Sequence, residues 1–352
     1  MNTTINKLKF LLLATPIFWM SCNEKETEAL LPGDFENGVF ISNEGNFGSG
    51  DASLSYYDFE SRTIYNDVFS LSNEGKEIGD VMQSIYIGQD HAFLVVNNSN
   101  KVEALNLADM TIDYTIADLK LPRYMTSTGD KGYVSEWVSF SDVGRVSVID
   151  LSTGVIQKTI DTDYGAEGVI IADNKLFVSN NFSTTLSVID LNTEAVTKTI
   201  EVGSSPGEMK LDADGDIWLV CGGGLDEQYN PVGDGKFVEI DPATLEIMRV
   251  VELGMNISTK IAIDPTKEVL FYFKGTSVYK YGVGMAEASD MPVISEESAT
   301  GFYGIGVDGS GNIYLGDSKG FIENGEVFMY ASDGAFIEKF EVGRGPNGFA
   351  LN

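Results

Sequence analysis

GRVSVIDLSTGVIQKTI, starting at Gly144, and TTLSVIDLNTEAVTKTI, starting at Thr184, are two copies of one unit, and GKFVEIDPATLEIMRVVEL, starting at Gly235, is a third. Each copy is a short run ending on an aspartate, a polar turn, and a second run. In Val146-Ser147-Val148-Ile149-Asp150 successive side chains point to opposite faces of an extended strand. The closing aspartate accepts backbone N–H bonds from the turn that follows. Weaker copies start at Ala52, Asn100, Thr276 and Gly325. Their turn positions, Asp58, Asn106, Asp150, Asp190, Asp241, Gly282 and Ala331, lie 48, 44, 40, 51, 41 and 49 residues apart. This spacing and the β-branched alternation fit a four-stranded propeller blade better than a helical repeat.

Two further strands follow each unit, as in Gly207-Glu208-Met209-Lys210-Leu211 and Ile217-Trp218-Leu219-Val220. Asp212-Ala213-Asp214-Gly215-Asp216 joins them, and the turn recurs as Asp308-Gly309-Ser310-Gly311-Asn312. Its aspartates are calcium-like, but the loop is too short for an EF-hand, and a glycine-permitted hairpin accounts for it. The last unit ends at Gly348-Phe349-Ala350-Leu351-Asn352 without its next strand, and Gly38-Val39-Phe40-Ile41-Ser42 has that strand's pattern. The sequence therefore predicts an all-β fold, a seven-bladed β-propeller of four-stranded antiparallel blades over residues 37–352, its ring closed by an N-terminal strand.

Ahead of the repeats, Lys7 and Lys9 precede an apolar run from Phe10 to Met20, the layout of a secretory signal too short to span a bilayer comfortably. Trp19-Met20-Ser21-Cys22 resembles a bacterial lipobox, with Trp19 in place of the usual Leu. On this reading residues 1–21 are a lipoprotein signal peptide, Cys22 is acylated, and residues 22–36 form an acidic tether. An ordinary secretory signal with a chance cysteine is the alternative. The acidic stretch after Cys22 resembles the surface-export tags of Bacteroidetes lipoproteins, so the expected location is the outer membrane, at the cell surface, held by lipid alone.

Loss of Lys7 and Lys9 takes the formal charge from −30 to −32, a field that repels nucleic acid and anionic lipid. With Cys22 lipidated, Cys221 has no cysteine to pair with, so the core must hold the fold.

Strands ending in VVNNS, VSEWVS, VSNNFS and LVCGGG leave the sheets on one face, and the segments GDVMQS, LPRYM, AEGV, SPGEM, ISTK, FYGIG and GPNGF lead in from it. That face collects the amides of Asn43, Asn46, Asn97, Asn98, Asn180, Asn181 and Asn347, and the rings of Phe47, Tyr124, Trp137, Phe182 and Tyr303. Asp80, Gln83, Arg123 and Asp317 complete the candidate set. Amides both donate and accept while rings cover apolar surface, so such a rim suits a bulky ligand bearing amides or hydroxyls. Asparagines also make turns at strand ends, and only their convergence from several blades argues for a site.

Catalysis finds little support. His91, the one histidine, lies in a turn at the far end of its hairpin, which leaves no histidine-based zinc site and no Ser-His or Cys-His pairing at the rim. An oxygen-ligand calcium site from Glu44, Asn98, Asn181 and Asp317, as in propeller lactonases, stays open as a minor alternative. No catalytic residue, cofactor or resident metal is assigned.

Asn43-Glu44-Gly45-Asn46-Phe47, Ala52-Ser53-Leu54-Ser55-Tyr56-Tyr57-Asp58, Gly79-Asp80-Val81, Gln83-Ser84, Val95-Val96-Asn97-Asn98-Ser99 and Pro122-Arg123-Tyr124 resemble the YncE-like surface propellers of Bacteroidetes, in particular the cobalamin-capturing BtuG lipoproteins. The resemblance implies a corrinoid as ligand and a TonB-dependent outer-membrane transporter as partner. A YncE-like propeller with another ligand or a protein partner is the alternative. Asp80, Gln83, Asn98, Arg123 and Tyr124 then lead the binding candidates, with Arg123 facing the phosphate of the corrinoid's lower ligand or, equally, a neighbouring carboxylate.

The N-terminal reading makes a direct prediction. Cys22→Ala should move the protein from the membrane fraction to the soluble fraction of expressing cells. Equal membrane retention of wild type and variant would dismiss the lipid anchor.

Overall fold

The computed structural model describes residues 31–351 apart from 225, 227 and 229. The acylation and signal readings at Cys22 and residues 1–21 lie outside these residues. Seven antiparallel sheets of four strands form the seven blades. Blade 1 is built from both ends of the chain. Its inner strand is Pro346–Leu351, and Gly38–Asn43, Ser53–Asp58 and Thr63–Tyr65 follow outward. The other inner strands, in order from blade 2, are Met82–Ile87, Pro122–Thr128, Ala166–Ala172, Pro206–Leu211, Ala262–Ile263 and Phe302–Val307.

The expected closure is present: Phe40 pairs with Ala350, Ile41 with Phe349 and Ser42 with Gly348. The repeat seen in the sequence is offset from the blade, however. The strands ending at Asp150 and Asp190 are the third of their sheets, so each sequence unit supplies the outer half of one blade and the inner half of the next. As read from sequence, these aspartates cap the turns: Asp150 accepts Ser152 N–H at 2.9 Å and Asp190 accepts Thr193 N–H at 2.8 Å.

Second strands are buried on both faces, in keeping with their nearly unbroken apolar runs. Along His91–Val96, Ala92, Leu94 and Val96 pack against blade 1, whereas Phe93 and Val95 pack against blade 3. Seven such clusters fill the seven gaps between blades, the last joining Val39, Ile41 and Tyr57 to Tyr314 and Val327. Outer strands are wetter; along Ala195–Glu201 only Ile200 is buried. The short helix Val68–Ser72 covers the outside of the gap between blades 1 and 2 with Val68 and Phe69.

The packed body begins ahead of residue 37. Phe35 is buried, 5.8 Å from Phe40 and 5.1 Å from Tyr56 between ring centres, so this one residue joins the core while Glu36 beside it is exposed. Cys221 is buried among apolar neighbours, which pushes its thiol up to about 12.

At some positions near the axis there is no room for even a Cβ between neighbouring inner strands. A Cβ on Gly168 would stand 2.7 Å from the Gly207 carbonyl, and one on Gly207 would stand 2.4 Å from the Thr259 carbonyl. Small hydroxyls fit instead and tie one blade to the next: Ser84 Oγ donates to Arg123 O at 2.7 Å and Ser179 Oγ to Gly207 O at 2.7 Å.

Closure sets the stability of the whole ring. A chain ending at Gly345 should lose its single cooperative melting transition and self-associate through the bared edge, as read by calorimetry and gel filtration. Ile41→Ala, at a fully buried position of the closing strand, should cost about 2–5 kcal/mol in urea denaturation. Wild-type behaviour of the truncated chain would mean that the pairing does not hold the ring.

Candidate functional site

Each inner strand begins at the same face, which we term the mouth, and each brings a polar or aromatic side chain with it. In blade order from blade 2 these are Gln83, Arg123 with Tyr124, Glu167, Glu208, Lys260, Tyr303 and, from blade 1, Asn347. They bond to one another around and across the axis. Arg123 makes a two-pronged ion pair with Glu167 at 2.9 and 2.8 Å, and both side chains are about nine-tenths buried. Tyr124 donates its hydroxyl to Glu208 at 3.3 Å, skipping a blade. Lys260 Nζ reaches the Asn347 carbonyl at 2.5 Å and lies 4.8 Å from the centre of the Tyr303 ring. Tyr303 donates to Glu44 at 2.6 Å.

Electrostatics follow from this crowding. Burial works against the Arg123 charge, but Glu167 outweighs it and the guanidinium rises above its ordinary value. Burial drives the Lys260 ammonium down, opposed by Glu208 and Glu44. The Tyr124 hydroxyl is held far above its usual range by burial and then by Glu208, and Tyr303 by burial and Glu44. Both phenols are therefore neutral donors at physiological pH. Below them lies a cavity of about 160 Å³, lined by Gln83, Tyr124, Glu208 and Asn347 among others. It accommodates a few waters, not a bulky ligand. A larger cleft of about 450 Å³, lined in part by Phe271, Tyr281 and Met285, opens elsewhere on blade 6.

On one side of the mouth stands an aromatic shelf. Trp137 is 4.6 Å from Phe182 and 5.7 Å from Phe140, and Phe140 is 5.8 Å from Phe182. The Arg123 guanidinium stacks 3.7 Å from the centre of the Trp137 ring, and Trp137 Nε1 donates to Glu167 at 2.8 Å. The rings thus sit on the buried ion pair, and Phe140 remains 78% exposed and Phe182 41% exposed.

A family model described as a domain of unknown function, DUF5074, matches residues 37–330. The chain belongs to this family. None of the curated proteins matches it. Among solved structures it is similar to a quinonprotein alcohol dehydrogenase-like protein from Bacteroides thetaiotaomicron, at 16% identity and a TM-score of 0.69 over 90% of this chain and 79% of that one. A functionally unknown protein from Desulfotomaculum acetoxidans aligns at 10% identity and a TM-score of 0.67, over 90% and 99% of the two chains. Hydrazine synthase from Kuenenia stuttgartiensis aligns at 15% identity and a TM-score of 0.61, over 74% and 85%. At such identities the likeness is one of fold.

In this DUF5074 member the amides expected to line the rim mostly serve the scaffold. Asn97 donates to Pro122 O at 3.0 Å, Asn181 to Pro206 O at 3.1 Å, and Asn347 to the carbonyls of Met82 and Gln83, each at 3.0 Å. In every case an amide fastens the start of the next blade's inner strand. Asn43 and Asn180 are fully buried and donate to hydroxyls of their own blades, Ser55 at 2.9 Å and Ser187 at 3.0 Å. Asp317 is also buried, capping Thr300 and Gly301 N–H. Asp80 accepts the Asn98 amide and Gly48 N–H, which pins the loop that carries exposed Asn46 and Phe47. Phe47 makes no ring contact with the shelf among the described residues.

The structure does bring Gln83, Arg123, Tyr124, Trp137, Phe182 and Tyr303 together around the mouth. Arg123 takes the carboxylate partner of its two expected roles. The four oxygen-bearing residues weighed for calcium face separate partners: Asn98 meets Asp80, Asn181 meets Pro206 O, Glu44 meets Tyr303, and Asp317 caps its own loop. His91 is not merely solvated, since it bonds Asp113 at 2.9 Å and packs between Phe93 and Tyr114. Glu167, Glu208, Lys260 and Phe140 were not singled out from sequence, although the first three lie within the entry segments AEGV, SPGEM and ISTK.

Breaking the Arg123–Glu167 pair strands a buried charge. Glu167→Gln should cost about 3–5 kcal/mol in urea denaturation, whereas Arg123→Met with Glu167→Met should recover most of that loss. A single variant as stable as wild type would show that the pair does not hold the mouth together.

Proposed function

We propose that this propeller captures a bulky, amide-bearing small molecule at its mouth, that the ligand is cobalamin or a related corrinoid, and that the protein presents it to a TonB-dependent transporter from a lipid-anchored position on the outer membrane. The observation that carries the reading is the exposed aromatic shelf of Trp137, Phe140 and Phe182 beside a mouth rich in fixed hydrogen-bonding groups. A corrin is a broad macrocycle edged with amides. Its apolar face suits the shelf, and its amides suit the polar groups fixed nearby.

The size of the channel bears on the pose. A 160 Å³ cavity is too small for so large a ligand, which on this reading lies across the mouth, on the face of the ring. The corrinoid and the transporter themselves are drawn from the sequence segments of blades 1 to 3, not from the family assignment.

Calorimetry with cyanocobalamin tests this reading. Wild type should bind and retain a red complex through desalting. Phe140→Ala and Phe182→Ala should each weaken binding about tenfold or more, because truncating a central contact costs about 1–4 kcal/mol. His91→Ala, at the far end of its hairpin, should bind like wild type. Absence of heat with wild type retires the corrinoid, and equal affinity in both shelf variants moves the site away from the shelf.

A further inference from the structure

At the end of blade 5 away from the mouth, the turn Asp212–Asp216 meets the third strand, Gly235–Asp241. Carboxylate oxygens of Asp212, Asp216 and Glu239 lie within 4.8 Å of one another. Blade 7 repeats this corner and shows what it needs to be self-sufficient. There Asp308 accepts Ser310 and Asn312 N–H through one oxygen, at 2.8 and 2.9 Å. Its other oxygen accepts the Asn312 amide at 2.8 Å and the Tyr314 hydroxyl at 2.9 Å. Met329 faces Tyr314 across the ladder.

Blade 5 keeps the frame, with Trp218 in the place of Tyr314, and puts acceptors at two further positions. Asp212 accepts Asp214 and Asp216 N–H at 3.0 and 2.9 Å, and Trp218 Nε1 at 2.9 Å. Asp216 replaces the donating Asn312 with an acceptor, and Glu239, opposite Trp218, replaces Met329 with another. A second observation is independent of the clustering. Glu239 is 5% exposed, and its Oε2 is buried without a hydrogen bond. Arg249 Nε lies 3.1 Å from that oxygen, off hydrogen-bonding geometry, while its Nη1 is committed to the Tyr281 hydroxyl and to the carbonyls of Val283 and Met285. One guanidinium against three carboxylates leaves the corner with a formal charge of −2.

The geometry points to a divalent-cation site in which Asp212, Asp216 and Glu239 hold a hard ion of the calcium class. Three carboxylates and no thiol or imidazole select oxygen-preferring ions. Burial, and then the neighbouring aspartates, raises Asp216 above the ordinary carboxylate range. Burial raises Glu239 as well, against the pull of Arg249. A cation relieves both.

Trp218 donates to one of the three ligands, so it can serve as the antenna for terbium, a luminescent stand-in for calcium. Full-length protein titrated with terbium and excited at tryptophan should give saturable emission that calcium displaces. Asp216→Asn, which copies the corner of blade 7, and Glu239→Gln should each abolish that emission at concentrations that saturate wild type. Asp333→Asn, on another turn, should leave it unchanged. Millimolar calcium should also raise the melting temperature of wild type by roughly 3 °C and leave the two site variants unmoved. Circular dichroism confirms that each variant is folded, and Glu239→Gln decides should Asp216→Asn fail to fold. Absent emission in wild type, or equal emission in a folded site variant, overturns the assignment.

Discussion

Seven strands converge on one axis so closely that at some positions no side chain fits between them, and this crowding shapes the rest of the molecule. Glycines such as Gly168 and Gly207 let neighbouring backbones meet, and serines that do fit are turned into blade-to-blade bonds. Neighbouring residues at the strand starts must then point into the channel. Glu167, Glu208 and Lys260 are brought there from successive blades, and each finds a partner on another blade. The paired charges of the mouth are in this sense a consequence of ring geometry.

Away from the axis the same radial plan works through apolar contact. Because every middle strand has a blade on each side, alternate residues serve two different interfaces, and no single sheet owns its core. A blade removed would leave two apolar faces open. The antiparallel pairing of Gly38–Asn43 with Pro346–Leu351 makes both ends of the chain answerable for all seven interfaces.

Repeat, blade number and closure were legible because they are written in local chemistry: a turn aspartate every 40 to 51 residues and an orphan strand at each end of the chain. The frame was not, since nothing in Val146–Asp150 says whether a strand lies near the axis or near the rim. The mouth was half legible. Its location followed from hairpin direction, yet Asn97 and Asn181 look the same in sequence whether they greet a ligand or clasp the carbonyl of the next blade. Arg123 and Glu167 are 44 residues apart, a pairing that only the ring brings about. Phe140 lies just beyond the strand that ends at Glu136, and its neighbourhood with Phe182 depends on how two loops fold back over adjacent blades.

The direction of the closing strand has a mechanical consequence. Gly38–Asn43 runs toward the mouth, so Gly38 enters at the opposite end, and the strand is hydrogen-bonded along both edges, to Ser53–Asp58 on one side and Pro346–Leu351 on the other. A pull applied to Gly38 along the strand is the load this joint meets best. Both ladders are then loaded in shear, every bond sharing the strain at once, whereas a pull across the strand would unzip them one at a time. The joint that closes the ring is thus strongest against a pull along its own axis and weakest against one across it.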